Sequence, residues 1–139
     1  MYVINYYVKL CDIAEDFGIE LENHNLCNIE RVAISPDCQS IHFNYKEIKS
    51  NKLNKSIKDE ITDIVTKVFD KFSVISNGFY DKDTLEYSVF SIEYDDNDED
   101  GVKNNSIGSI YVEVYDHKLE LFIDNEVLDY MDNVSTNAR

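Results

Sequence analysis

Tryptophan is absent from this 139-residue chain, proline occurs once (Pro36) and glycine four times. So little punctuation leaves no room for a Gly-, Ser- or Pro-rich linker, and no internal repeat is visible, so a single domain is expected over residues 1–132. Residues 133–139 are polar and aperiodic and read as a frayed tail. The three cysteines, Cys11, Cys27 and Cys38, are an odd number with no secretion signal beside them, which argues against a disulfide framework and for reduced thiols in a cytoplasmic setting. No run approaches the roughly 18 apolar residues of a membrane span, and the opening Met-Tyr-Val-Ile-Asn-Tyr-Tyr has neither a basic region nor a cleavage site. Basic residues are also scarce. Thirteen Lys and Arg stand against 28 Asp and Glu, a formal net charge of −15. Phosphate would be repelled by such a surface, so neither nucleic acid nor an anionic membrane is expected as a direct partner, and a basic protein is.

What is present suffices for a core: 43% of residues are hydrophobic and 12% aromatic. Val3, Tyr7, Leu10, Ala14 and Phe17 fall at helical spacing, with Gly18 placed as a left-handed C-terminal cap. Ile29–Ser35 is short and β-branched, Ser35-Pro36-Asp37 supplies turn chemistry, and Ile41, Phe43 and Tyr45 alternate with polar residues, predicting a hairpin. Leu53, Ile57, Ile61, Ile64, Val65, Val68, Phe69 and Phe72 predict a helix of about five turns, capped by Ser50 or Asn51, as the spine of the core. Leu85–Tyr94 is apolar in both phases, as a bulge or two covered faces would require. A loop of about a dozen residues precedes a second hairpin, in which Ile110, Val112 and Val114 and then Leu119, Leu121 and Ile123 alternate around a turn near Asp116-His117. Asn125 caps a short final helix. The order α-β-β-α-β-β-β-α predicts an α+β domain, with a long central helix on an antiparallel sheet of about five strands in two hairpin regions.

Negative charge concentrates late in the chain: residues 1–80 carry 12 acids and 9 bases, residues 81–139 carry 16 acids and 4 bases. The densest run is Glu93, Asp95, Asp96, Asp98, Glu99 and Asp100, between two strands, where mutual repulsion favours any arrangement that brings a basic surface alongside. Lys46, Lys49, Lys52, Lys55 and Lys58 recur every three residues at the entrance to the long helix. They oppose its macrodipole and read chiefly as solvated surface.

Asp96-Asn97-Asp98-Glu99-Asp100-Gly101 opens like a calcium loop, D-x-D-x-D-G. From Asp96 as the first position, however, the eighth is Lys103 and the twelfth is Ile107, where a bidentate Glu is needed, so no dedicated metal site is expected there. His24, Cys27, Cys38 and His42 offer nitrogen and sulfur ligands across the first hairpin. They could hold zinc tetrahedrally, but the ligand order is unusual, His42 falls opposite the buried face and Cys27 and Cys38 serve as small apolar fillers, so ordinary structure is expected. There is no G-x-S-x-G elbow and no glycine-rich phosphate loop, and the histidines at 24, 42 and 117 are scattered, so neither catalysis nor a cofactor is expected. A small enzyme built on carboxylates or on the His and Cys cluster is the contrasting reading, and a protein assembling through its sheet edge is a third.

Ten tyrosines remain to be placed. Tyr111, Glu113 and Tyr115 share one face of their strand, and Tyr94 adjoins the acidic run. Tyrosine beside carboxylate combines apolar area with hydrogen bonding and suits the gripping of Arg and Lys. The predicted partner-binding residues are therefore Tyr94, Asp95, Asp96, Asp98, Glu99 and Asp100 first, then Tyr111, Glu113 and Tyr115. A small, acidic, Asp-, Asn- and Tyr-rich chain of this kind resembles the phage-encoded anti-CRISPR inhibitors of bacterial defence. That group shares no fold or motif, so the resemblance assigns no residue. It implies a mode of action in a bacterial host's cytoplasm: an acidic face occupying the basic channel of a nucleic-acid-binding effector, as a nucleic-acid mimic. An immunity protein that covers a toxin nuclease needs the same charge for the same reason.

Overall fold

The computed structural model describes residues 6–48, 55–94, 102–115 and 117–137, with side chains described at 6–46, 57–92, 105–115 and 117–131. The elements follow in the order α1 (Tyr6–Asn23), β1 (Cys27–Ile34), β2 (Ser40–Ile48), α2 (Lys55–Val68), β3 (Ser73–Asp81), β4 (Thr84–Tyr94), β5 (Val102–Val114), β6 (Lys118–Ile123) and α3 (Asn125–Asn137). All strand pairings are antiparallel, and the sheet order is β1-β2-β6-β5-β4-β3. The expected α+β class holds, with six strands in place of about five.

Alternation decides which face is covered. Ile41 and Phe43 of β2, Leu119 and Leu121 of β6, Ile110 and Val112 of β5, and Leu85, Tyr87 and Val89 of β4 are wholly buried, and of their neighbours in the opposite phase only Ser40 and Thr84 are buried too. Helix α1 lies against β1 and β2, α2 against α1 and β3, and α3 against β5, so one apolar cluster forms between the helices and one side of the sheet. Each such large side chain contributes about 1.5–3 kcal/mol on burial. Polar ties fix the layers: the Thr62 and Tyr87 hydroxyls lie 2.9 Å apart, joining α2 to β4, and Tyr6 donates to Asp129 Oδ1 at 2.6 Å, joining α1 to α3.

Four expectations are corrected. Gly18 is not a cap: α1 runs on to Asn23, and Gly18 is buried in mid-helix, where a Cβ would lie 3.4 Å from Ile29 Cδ1 and 3.6 Å from Phe43 Cε1. Those are ordinary contact distances, so the site has room for a methyl group, and Asn25 takes the left-handed conformation beyond the helix end (φ 56°). The central helix is shorter than its apolar pattern, ending at Val68, and Phe69 and Phe72 reach the core from the following turn, closed by Phe72 N–H to the Phe69 carbonyl at 3.1 Å. Leu53 and the proposed caps Ser50 and Asn51 lie outside the described residues. Strand β3 is an element the expected order lacks; it is bulged at Asn77, Ser76 pairing with Tyr87 and Gly78 with Glu86, and Gly78 sits at φ 84°, which disfavours any side chain. Finally, the later part of the expected loop before Ile110 is strand, since β5 begins at Val102.

The two phases of β4 have a single explanation. Val89 pairs with Gly108 and Phe90 with Ser106, so the extra residue, Ile107, belongs to β5, and β4 keeps its own alternation. Ser91 stays on the buried side while Ile92 is exposed. Register shifts also interrupt β1 against β2, and β3 is shifted twice against β4. Helix α3 extends into residues 133–139, the segment that reads as a tail. Among the described residues no helix is long and apolar enough to cross a membrane.

Candidate partner-binding face

The helices lie on one side, and among the described residues no element covers the other side of the sheet, whose rungs are built from the polar phases of β2, β6, β5 and β4. One rung runs Ser40, Phe122, Tyr111, Glu86; the next runs His42, Glu120, Glu113, Thr84. Tyr111 and Glu113 therefore share this face, as expected, and Tyr115 follows at the end of β5, 42% exposed, its hydroxyl donating to Glu113 Oε2. That hydrogen bond, with desolvation second, pushes the Tyr115 hydroxyl up to about 12. Tyr111 is raised too, first by desolvation and then by the Glu86 carboxylate that its hydroxyl faces. The β5–β6 turn that carries Tyr115 is pinned from β2: Tyr45 donates to the Tyr115 carbonyl at 2.7 Å, and His117 Nδ1 lies 2.6 Å from the Lys46 carbonyl.

Beside this rung lies a cleft of about 490 Å³, bounded by Tyr80 and Asp81 at the end of β3, Tyr111 and Glu113 of β5, Phe122 of β6, and Asp124 and Glu126 where α3 begins. Tyr80, 68% exposed, meets Tyr111 edge to face, with ring centroids 5.8 Å apart and an interplanar angle of 76°. Asp124 is held by accepting the Ser109 N–H at 2.7 Å, and the Asp81 carboxyl is held below the usual range by the Asp83 N–H. Four carboxylates and three aromatic rings thus bound a cavity that, among the described residues, no Lys, Arg or His lines.

Sequence reasoning missed Tyr80, Asp81, Phe122, Asp124 and Glu126. Phe122 carried a signal, being the one large apolar residue in the polar phase of β6. Its place beside Tyr111 follows from the register of the β5–β6 hairpin, in which the two residues pair. Tyr80 belongs to the unpredicted strand.

The residues predicted first fall elsewhere. Asp95, Asp96, Asp98, Glu99 and Asp100 lie outside the described residues, as does the calcium-like loop they open, and Tyr94 is described only as the last backbone position of β4. His24, Cys27, Cys38 and His42 are not gathered: His24 Nδ1 lies 3.9 Å from Glu60, His42 Nδ1 lies 3.6 Å from Glu120, and Cys38 sits in the β1–β2 turn at φ 55°. Among the described residues no three His, Cys, Asp or Glu side chains converge as metal ligands. Burial, with Glu22 second, raises the Cys27 thiol to about 11, so it is neither a ready ligand nor a ready nucleophile. Of the lysine series, Lys58 lies over the Phe79 ring at 5.5 Å and Lys46 is exposed.

Negative charge is not confined to the open face, because α1 exposes Asp12, Glu15, Asp16 and Glu22 on the other side. The open face is distinguished by its rings. Comparisons with protein-family models, with curated proteins and with solved structures found no match.

Proposed function

We propose that this chain is a non-enzymatic acidic inhibitor, acting in a bacterial host's cytoplasm, which covers the basic nucleic-acid-binding surface of a defence effector such as a CRISPR-associated nuclease complex. It would set carboxylates against Lys and Arg that otherwise hold phosphate. The observation that carries this reading is the open sheet face, where carboxylates and tyrosines stand together beside a concave site that no basic side chain lines among the described residues. The acid count of the C-terminal half supports the same reading, since an excess of one sign steers association with the opposite sign over distances of about a Debye length.

The test is capture of a basic effector from bacterial lysate by the intact chain, followed by measurement of association rate against salt. The reading requires a nucleic-acid-binding protein, faster association at low ionic strength, and competition by the effector's guide or target. Capture of a toxin nuclease would move the chain to the immunity proteins, and turnover of a small substrate would remove it from inhibitors altogether.

A further inference from the structure

We propose, resting on the reading above, that the cleft between Tyr80 and Phe122 seats an arginine side chain of the basic partner. The cleft's volume of about 490 Å³ lies within the range of pockets that enclose a small group rather than a flat contact, about 300–1,000 Å³. Its sign is settled by Asp81, Glu113, Asp124 and Glu126. The N-terminal end of α3 opposes them with only about half a positive charge.

The chain's own cations show the chemistry in miniature. Lys118 Nζ is 2.5 Å from Glu120 Oε1 and 5.4 Å from the centroid of the Tyr115 ring, a cation held by carboxylate and aromatic face together. The cleft repeats that combination, with Tyr80, Tyr111 and Phe122 as rings, but among the described residues no cationic side chain lines it. Nor do any of its four carboxylates form an ion pair among the described residues.

Guanidinium fits better than the alternatives. It is planar, loses less hydration than an ammonium on leaving water, stacks on rings and forks to carboxylates. A hard metal ion gains nothing from three aromatic side chains.

The experiment titrates the full chain with a short neutral-backbone peptide carrying two arginines, and with its lysine counterpart, following backbone amide shifts. The arginine peptide should move the amides of Tyr80, Tyr111, Phe122 and Glu126 and bind about fivefold or more tightly than the lysine peptide. The double variant Tyr80→Ala, Glu126→Gln changes two exposed side chains, so it should melt like the parent yet lose about tenfold in arginine-peptide affinity. Equal affinity for the two peptides, or shifts spread over the acids of α1 with the cleft silent, overturns the proposal. An effector bound equally well by the double variant overturns the cleft while leaving the inhibitor reading intact. Arginine peptide seated in the cleft by a chain that captures no basic effector supports the cleft and sinks the inhibitor.

Discussion

Glu113 and Glu120 stand directly opposite each other on the open face, paired across β5 and β6. Like charges at such a position destabilise a sheet, and the surroundings absorb part of the cost: Lys118 and His42 approach Glu120 at 2.5 Å and 3.6 Å, and Glu113 takes the Tyr115 hydroxyl. Glu113→Gln should keep that hydroxyl contact and remove the repulsion. Stability should rise by about 0.5 kcal/mol, or about 2 °C in melting temperature, as read by thermal denaturation. Partner affinity should fall at the same time. A variant that melted lower would mean the pair is not repulsive in solution.

Tyr115 and Tyr87 should be the late phenols in an alkaline titration. Both are pushed up to about 12, Tyr115 by the Glu113 carboxylate and Tyr87 by burial, against an ordinary value of 10.0. Because the folded state holds these protons more tightly than the unfolded chain, their contribution to stability is complete below about pH 10 and is lost as pH climbs from 10 towards 12. Absorbance of tyrosinate should show the delayed groups, and Glu113→Gln should return Tyr115 towards 10 while leaving Tyr87 in place. Simultaneous ionisation of both in that variant would contradict the assignment.

Two glycines should respond oppositely to alanine. At Gly18 the added methyl meets Ile29 and Phe43 at ordinary contact distance, so Gly18→Ala should stabilise by about 0.5–1 kcal/mol through helix propensity. At Gly108 it would lie 3.1 Å from Asp124 Oδ2 and 3.2 Å from Val127 Cγ2, so Gly108→Ala should destabilise by about 1–3 kcal/mol. Denaturant midpoints decide both. A destabilised Gly18→Ala would show that α1 and the sheet are closer than described.

Neutralising Asp95, Asp96, Asp98 and Asp100 together to Asn should leave thermal stability equal or higher, because self-repulsion falls. If the acidic run meets the partner, association should also slow and lose much of its salt dependence. Unchanged partner binding would place recognition wholly on the described sheet face.

Much of the fold was legible because burial imposes period. Leu10, Ala14 and Phe17 on α1, Ile41, Phe43 and Tyr45 on β2, and both strands around Asp116-His117 announced their inward faces. Where the structure departs from the pattern, a non-local demand had overridden a local one. Gly18 reads as a stop, yet the packing of α1 on β1 and β2 carries the helix through it, and pairing with β4 makes a strand of Ser73–Asp81 that local spacing did not delimit. The shared face of Tyr111, Glu113 and Tyr115 followed from simple alternation. The cleft did not, since it needs the insertion of β6, the bulged end of β3 and the start of α3 at one place.

The register shifts in β1 and β3 bear on how any partner can engage. These are the two rims of the sheet, and neither offers a long uninterrupted row of free peptide groups for an incoming segment to zip onto. Strand addition, a common route to indiscriminate association, is thereby discouraged at both margins. Under the proposed function, recognition would then fall to the open side of the sheet, where side-chain identity, rather than main-chain hydrogen bonding, would select the partner.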